Sequence, residues 1–373
     1  MERAFVQWLK CPSCGGDFGT KVFREERLDV EEGLLTCGKC GRIAPIIAGV
    51  PRILPAYLNH ALVVRFPNFF HTHGITVPQD PPSNEFERLN QSIFDSFTYN
   101  WIAKKSMLRR VAKARSRIQD DPLHPEDRRF FLDNVAPLEA SFFQGKLGLD
   151  AGCNTGRHLY AAWENGAEMV GLEPTFAIDR ARELMRGRDG IQLVQGSIFE
   201  FPLKPALFDF SLCFGVLHHT PDPVGGFKTI AASIKPGGAF LTMVYGLDEM
   251  AYWYRMSHMR ALRTFTTRIP LRATRKVCEA LALIMKYGLV VPFSAVGRAP
   301  VVGSVAKRFP FMYLRHDPVL SISRNFFDRL APPVTTYHSR SEIEKWYRDA
   351  GFINVCVSRR EMNAWRAYGV RDS

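Results

Sequence analysis

The stretch Lys146–Tyr160, KLGLDAGCNTGRHLY, constrains the fold of this chain more than any other. An apolar run ends in Asp150-Ala151-Gly152, a glycine-bearing turn follows, and a helix starts after Gly156. That order reads as a buried parallel strand feeding a nucleoside-binding loop. Glycines suit such a loop because a side chain would hold the backbone away from a ligand. The helix start beyond it presents unpaired N–H groups to a carboxylate or phosphate. The spacing is D-x-G-x-x-x-G and not the dinucleotide G-x-G-x-x-G, which suits a compact cofactor carrying a carboxylate. A ligand-free strand-to-helix turn is the plainer alternative.

The residues downstream favour the ligand-binding reading. EMVGLE (Glu168–Glu173) is a second buried strand ending in a carboxylate a little over twenty residues after Asp150. In doubly wound sheets an acid at that place accepts hydrogen bonds from a ribose diol. IQLVQGSI (Ile191–Ile198), FDFSLCFGVLHHTPDP (Phe208–Pro223) and IKPGGAFLTMVYG (Ile234–Gly246) supply three further strands. Strands alternating with helix-length segments predict an α/β fold with an open parallel sheet. The ligand crevice is expected beyond the carboxyl ends of the first strands.

These motifs, in this order, resemble those of class I S-adenosylmethionine-dependent methyltransferases, over roughly residues 90–245 and again over 336–370. The resemblance implies a Rossmann-like seven-stranded, mostly parallel sheet whose last strand runs antiparallel, with S-adenosylmethionine as cofactor. It implies a cofactor site formed by Asp150, Gly152, Cys153, Asn154, Gly156, Glu173, Pro174, Ser197, Ile198 and Phe214. In it Gly152 and Gly156 pass close to the methionine part and Glu173 holds the ribose hydroxyls. The acid that often binds the adenine amino group is replaced by Ser197, which leaves that hydroxyl or the backbone at Ile198 for the task.

LKCPSCGGDF and LLTCGKCGR place Cys11, Cys14, Cys37 and Cys40 as two C-x-x-C knuckles. Four thiolates in that pattern build a tetrahedral zinc site, with iron as the rarer occupant. A disulfide pair is the competing reading, but MERAFVQWLK lacks the apolar run of a secretory signal. A cytoplasmic location is expected, with Cys153, Cys213, Cys278 and Cys356 as ordinary reduced thiols. The continuation GRIAPIIAGVPRILP resembles the small zinc-ribbon protein that activates several tRNA and translation-factor methyltransferases. That likeness implies a stabilising or activating role.

The expected organisation is a zinc ribbon over 1–58, a Pro- and His-rich linker over 59–84, and the methyltransferase core over 85–245. A helical insertion or cap follows over 246–335, and the core ends over 336–373. FDSFTYNW resembles an aromatic element that precedes such cores, where it covers the cofactor or packs into the core. The basic block 104–117 reads as a solvated helix face. The net charge is +12, and residues 246–330 alone hold 14 Lys+Arg against 5 Asp+Glu. Basic residues interleaved with aromatics suit RNA, acidic sugars, lipid head groups or a wet amphipathic face. The apolar stretch Ala280–Phe293, interrupted by Lys286, reads as too short to span a bilayer. Peripheral contact with a membrane stays open.

Methyl transfer is an in-line displacement from an activated donor, so holding donor and acceptor in line supplies much of the rate. A base is needed only for a hydroxyl or a protonated amine. His218 and His219, after the fourth strand, are the first candidates for base or acceptor positioning, with loop shaping as the alternative. Tyr337 and His338 are the second candidates. The expected reaction is O- or N-methylation of a small-molecule or glycan-type acceptor. An RNA methyltransferase using its ribbon for recognition, and a non-catalytic scaffold of the same fold, are the alternatives carried forward.

Overall fold

The computed structural model describes residues 1–26, 29–102, 125–247, 261–296, 314, 318–360 and 364–373. One sheet runs through it in the order β1-β2-β3-β4-β7-β6-β5-β8-β9-β11-β10. The central strands β5 (Leu147–Ala151), β6 (Glu168–Leu172), β7 (Ile191–Gly196), β8 (Phe208–Phe214) and β9 (Ile234–Tyr245) are mutually parallel. β10 (Phe352–Arg360) and β11 (Ala364–Arg371) form a hairpin, and β11 joins β9 antiparallel. Strand β7 is buried along its whole length, as a strand covered on both faces must be.

The sheet therefore has eleven strands and not the expected seven. The extra four belong to the N-terminal ribbon: β1 (Phe18–Glu26), β2 (Asp29–Cys37), β3 (Ile43–Ile47) and β4 (Val50–Ile53). These are antiparallel to one another, but β4 lies parallel to β7, with Arg52 opposite Gln195 and Ile53 opposite Gly196. An open parallel sheet leaves unpaired backbone groups on its outer strand, and the ribbon covers them. Leu9, Cys11, Leu35 and Cys37 share one core with Leu172, Leu203 and Ile234. The ribbon is thus built into the sheet.

Arg52 fixes that junction. Its side chain is 1% exposed, pairs with Asp179 at 2.8 Å and donates to Gln195 Oε1 at 2.9 Å. Arg182 reaches from the core to Glu31 on β2 at 2.8 Å and lies against Gly49, whose positive φ and lack of Cβ leave room for it.

The expected linker over 59–84 differs from the structure. It contains α1 (Asn59–Arg65) and α2 (Pro67–His73), whose Leu62, Phe69 and Phe70 bury against Phe176 and Phe94. A proline of the kind that read as linker acts here, with a glycine, as helix punctuation. Pro67 occupies the first helical position and Gly74 closes α2 in the left-handed region.

Helix α3 (Glu85–Ile102) crosses above the carboxyl edge of the sheet. Next come α4 (Pro125–Val135), α5 (Arg157–Glu164) after β5, α6 (Ala177–Met185) after β6, and α7 (Pro223–Ala232) after β8. The Asp222 carboxylate accepts from the Gly225 N–H at 2.8 Å and caps α7. The basic block 104–117 lies outside the described residues.

After β9, the described part of the insertion is helical. It comprises α8 (Leu271–Leu283), a wider π turn (Ile284–Val290), α9 (Val291–Val296) and α10 (Val319–Leu330). These pack as two small clusters apart from the main core. They reach α3 through Tyr99 against Phe327 and through Arg275, which donates to Asn100 Oδ1 at 2.8 Å. The stretch Ala280–Phe293 is one part of a continuous 24-residue helix, Leu271–Ser294, long and apolar enough by length and composition to cross a membrane. The turns before Ala280 supply the length that the apolar run lacked. Finally α11 (Arg340–Asp349) begins with a capping box between Ser339 and Glu342 and leads into β10.

Candidate cofactor and acceptor site

Strand β5 ends in Ala151, and the chain then turns through Gly152 (φ +83°), Asn154 (φ +53°) and Gly156 (φ +84°) into α5. A Cβ on Gly152 would lie 2.3 Å from Val216, so the loop and the β8 loop can meet only because that position is glycine. The Gly152 and Cys153 N–H groups both donate to the Leu172 carbonyl, which ties this loop to the end of β6.

Glu173 stands at that end and is 5% exposed. Its carboxylate accepts from the Asn154 N–H, the Thr175 N–H (each 2.9 Å) and the Thr175 hydroxyl (2.5 Å). Burial raises its pKa, while the Thr175 and Asn154 donors pull it down. The acid is therefore held rigidly at the mouth of a cavity.

That cavity, about 420 Å³, lies beyond the carboxyl ends of β5, β6, β7 and β8. Gly152, Cys153, Asn154, Glu173, Pro174, Ser197, Ile198 and Phe214 all line it, as do His218 and His219. The Ser197 hydroxyl accepts from the Phe199 N–H at 3.1 Å and so shapes the turn after β7.

Two expected cofactor residues stand behind the wall. Asp150 is buried, one of its carboxylate oxygens has no partner, and burial together with Glu173 pushes its pKa up to about 7. Gly156 faces α6, where an added Cβ would lie 2.8 Å from Met185. Their places suit support of the loop.

His218 and His219 are both buried. His218 stacks on Tyr245 with ring centroids 3.8 Å apart, and its Nδ1 accepts from the Tyr245 N–H at 3.2 Å. His219 Nδ1 lies 3.2 Å from the Val334 carbonyl. Burial lowers both pKa values, that of His218 well below the ordinary histidine range and that of His219 to about 4, so both rings are neutral near pH 7. Tyr337 and His338 are not brought into the cavity wall. Tyr337 stacks behind Tyr245 at 5.6 Å. His338 bridges to Gly246 through its backbone, packs its ring on Trp346 and bonds Thr336 at 2.8 Å.

Part of the wall escaped the sequence reading. Tyr57 and Leu58 arrive from the end of the ribbon, Phe130 from α4, and Met243 and Tyr245 from β9. Asn90, Ile93, Phe94, Phe97 and Trp101 of α3 form one side. Only α3 was signalled, by FDSFTYNW, and it both packs into the core and borders the cavity. Phe94 is buried against Phe176, and Phe97 meets the His219 ring at 5.3 Å.

In the ribbon the four thiolates converge, with Sγ atoms all within 4.8 Å of one another. Cys11 and Cys40 stand 3.7 Å apart, and Cys14 and Cys37 3.4 Å. A tetrahedron of Zn–S bonds of about 2.3 Å needs sulfurs roughly 3.8 Å apart, so the donor set fits zinc. The Cys40 and Lys39 N–H groups pull the Cys37 thiol down to about 6, whereas burial and the neighbouring sulfurs push the Cys14 thiol up to about 12.

The core strand order, its antiparallel last strand and the glycine loop define a Rossmann-like α/β domain whose sheet is extended by an N-terminal cysteine ribbon. Residues 149–242 match the family model described as "Methyltransferase domain", so this chain carries that domain. The tRNA U34 carboxymethyltransferase of Nautilia profundicola is 29% identical over 153 residues, 40% of this chain and 50% of that protein. The enzyme of the same name from Campylobacter hominis is 32% identical over 124 residues, 31% and 43% of the two chains. The chain thus spans about half the length of these relatives. Among solved structures, Burkholderia thailandensis 1,6-didemethyltoxoflavin-N1-methyltransferase aligns with a TM-score of 0.44 at 14% identity, covering 79% of this chain and 93% of its own.

Proposed function

We propose that this chain moves the methyl group of S-adenosylmethionine to an RNA acceptor in the cytoplasm, with zinc held by Cys11, Cys14, Cys37 and Cys40 as a structural ion. The observation that carries methyl transfer is one cavity that joins Glu173, the Gly152 backbone and the His218–His219 pair. Bound there, the cofactor would supply a methyl group already activated for displacement. The protein then has to bind, orient and exclude water, and the aromatic wall from α3 suits all three. Glu173 would take the ribose hydroxyls, Ser197 or the Ile198 backbone the adenine edge, and the two histidines the acceptor.

RNA is supported as acceptor by the names of the curated relatives and by the net charge of +12. Lys and Arg in excess give a polyanion a sequence-independent attraction. A small acceptor, glycan-type or otherwise, is the second reading, because aromatic side chains from α3 and α4 border the cavity beside the histidines.

Radiolabelled S-adenosylmethionine tests the proposal, offered with bulk tRNA or with a nucleic-acid-free metabolite extract. Label that precipitates in acid and is released by ribonuclease supports RNA. Label that stays acid-soluble supports the second reading. A folded, zinc-loaded protein that binds neither the cofactor nor its demethylated product would leave only the scaffold.

A further inference from the structure

Helix Leu271–Ser294 is amphipathic in the wrong sense for a soluble cap. Its inner face, Thr274, Cys278, Ala282 and Val290, is buried, and Cys278, Ala282 and Val290 pack with Ile322 and Phe327 of α10. Its outer face is also apolar. Leu283 is 49% exposed, Ile284 64%, Tyr287 63% and Val291 45%, with Ala280, Gly288 and Pro292 exposed beside them. At helical spacing these positions form one stripe, about 18 Å long at 1.5 Å per residue. Four of the ten exposed large hydrophobic side chains among the described residues lie within nine positions of this one helix, and a contiguous patch of that kind marks a binding surface.

What covers the stripe is indicated by the charges at its end. Arg272 and Lys276 are exposed about two turns and one turn before Ala280, and Arg268 and Phe265 (57% exposed) lie just upstream. No acidic residue is exposed on the stripe. Lys286, the one cation inside the apolar stretch, turns away and reaches the Leu314 carbonyl at 3.3 Å. Basic side chains followed by an apolar face suit a bilayer surface with anionic head groups, where the cations meet phosphates and the apolar side chains enter the acyl boundary.

We propose that this helix docks the protein peripherally on an anionic membrane, lying in the plane of the interface. The buried inner face decides lying over spanning: a span would pull Thr274, Cys278, Ala282 and Val290 out of the cap. The proposal does not depend on which acceptor is methylated.

Co-sedimentation of the full chain with vesicles tests it. One set contains phosphatidylcholine alone, the other phosphatidylcholine with about one third phosphatidylglycerol. The anionic vesicles should bind the protein several-fold better, and added salt should weaken that preference. Ile284→Glu with Tyr287→Glu should reduce binding by at least about tenfold while leaving cofactor affinity and the melting temperature unchanged, since both side chains are exposed. Arg272→Glu with Lys276→Glu should remove the preference for anionic lipid. Absence of binding to both vesicle types would overturn the proposal, as would binding that survives Ile284→Glu with Tyr287→Glu. A concentration-dependent dimer abolished by that double variant would overturn it too, because a second copy would then be the occupant.

Discussion

His218 and Tyr245 are locked ring to ring, and the Tyr245 N–H donates to His218 Nδ1. Nδ1 must therefore carry the lone pair, and the neutral ring keeps its proton on Nε2. His219 has the opposite arrangement: its Nδ1 faces the Val334 carbonyl, an acceptor, and the Thr335 hydroxyl, whose own proton goes to that carbonyl, so the proton sits on Nδ1 and Nε2 is left basic. Neighbouring histidines thus hold complementary tautomers, and under the proposed function one would donate to the acceptor substrate while the other would take its proton. Transfer to a hydroxyl or amine should then lose far more from His219→Asn than from His218→Asn in kcat. Equal losses would reduce the pair to loop shaping.

The same burial sets the pH dependence. Because both imidazoles stay neutral, the rate should show no histidine inflection between about pH 6 and 8. An inflection near the ordinary histidine pKa that disappears in His219→Asn would contradict the buried, neutral pair.

Stability should follow pH through the same group. The folded His219 has its pKa lowered from 6.5 to about 4, so the unfolded chain binds the extra proton between those values. Stability is present above about 6.5 and falls as pH drops toward 4, by up to about 3 kcal/mol. Denaturant unfolding of the wild type and His219→Asn at several pH values measures it. The variant should show the shallower slope.

Glu173→Ala removes the carboxylate proposed to hold the ribose and leaves the Asn154 and Thr175 N–H groups without their acceptor. Lost hydrogen bonds to a charged group are worth about 1.5–3 kcal/mol, so the affinity for S-adenosylmethionine should fall by roughly ten- to a hundredfold. Calorimetric titration measures it, and the zinc content should be unchanged. Unaltered affinity would move the ribose away from Glu173.

Arg52→Ala should be among the most destabilising single changes at the junction of ribbon and core, by about 3–5 kcal/mol, because Asp179 keeps its charge next to an emptied site. Arg65 also pairs with Asp179 at 3.1 Å and offsets part of the loss. Thermal and denaturant unfolding give the value. A neutral effect would mean that the ribbon is held by its apolar core alone.

The glycine loop, Glu173, the alternating strands and the two cysteine knuckles were legible in the sequence, because each rests on local spacing and backbone need. Gly152 must be glycine for Val216 to approach, and C-x-x-C turns bring paired sulfurs together wherever they occur. What only the tertiary structure decided comes from partners distant in the chain. The pairing of β4 with β7 turned a separate ribbon into part of an eleven-stranded sheet and carried Tyr57 to the cavity. Asp150 and Gly156 fell behind the wall, His338 was drawn off by Trp346 and Gly246, and the histidine tautomers were set by Tyr245 and Val334. Local spacing determines which backbone can form. Which side chain meets which across a hundred residues depends on how whole elements bury their apolar faces, and no single stretch of sequence encodes that.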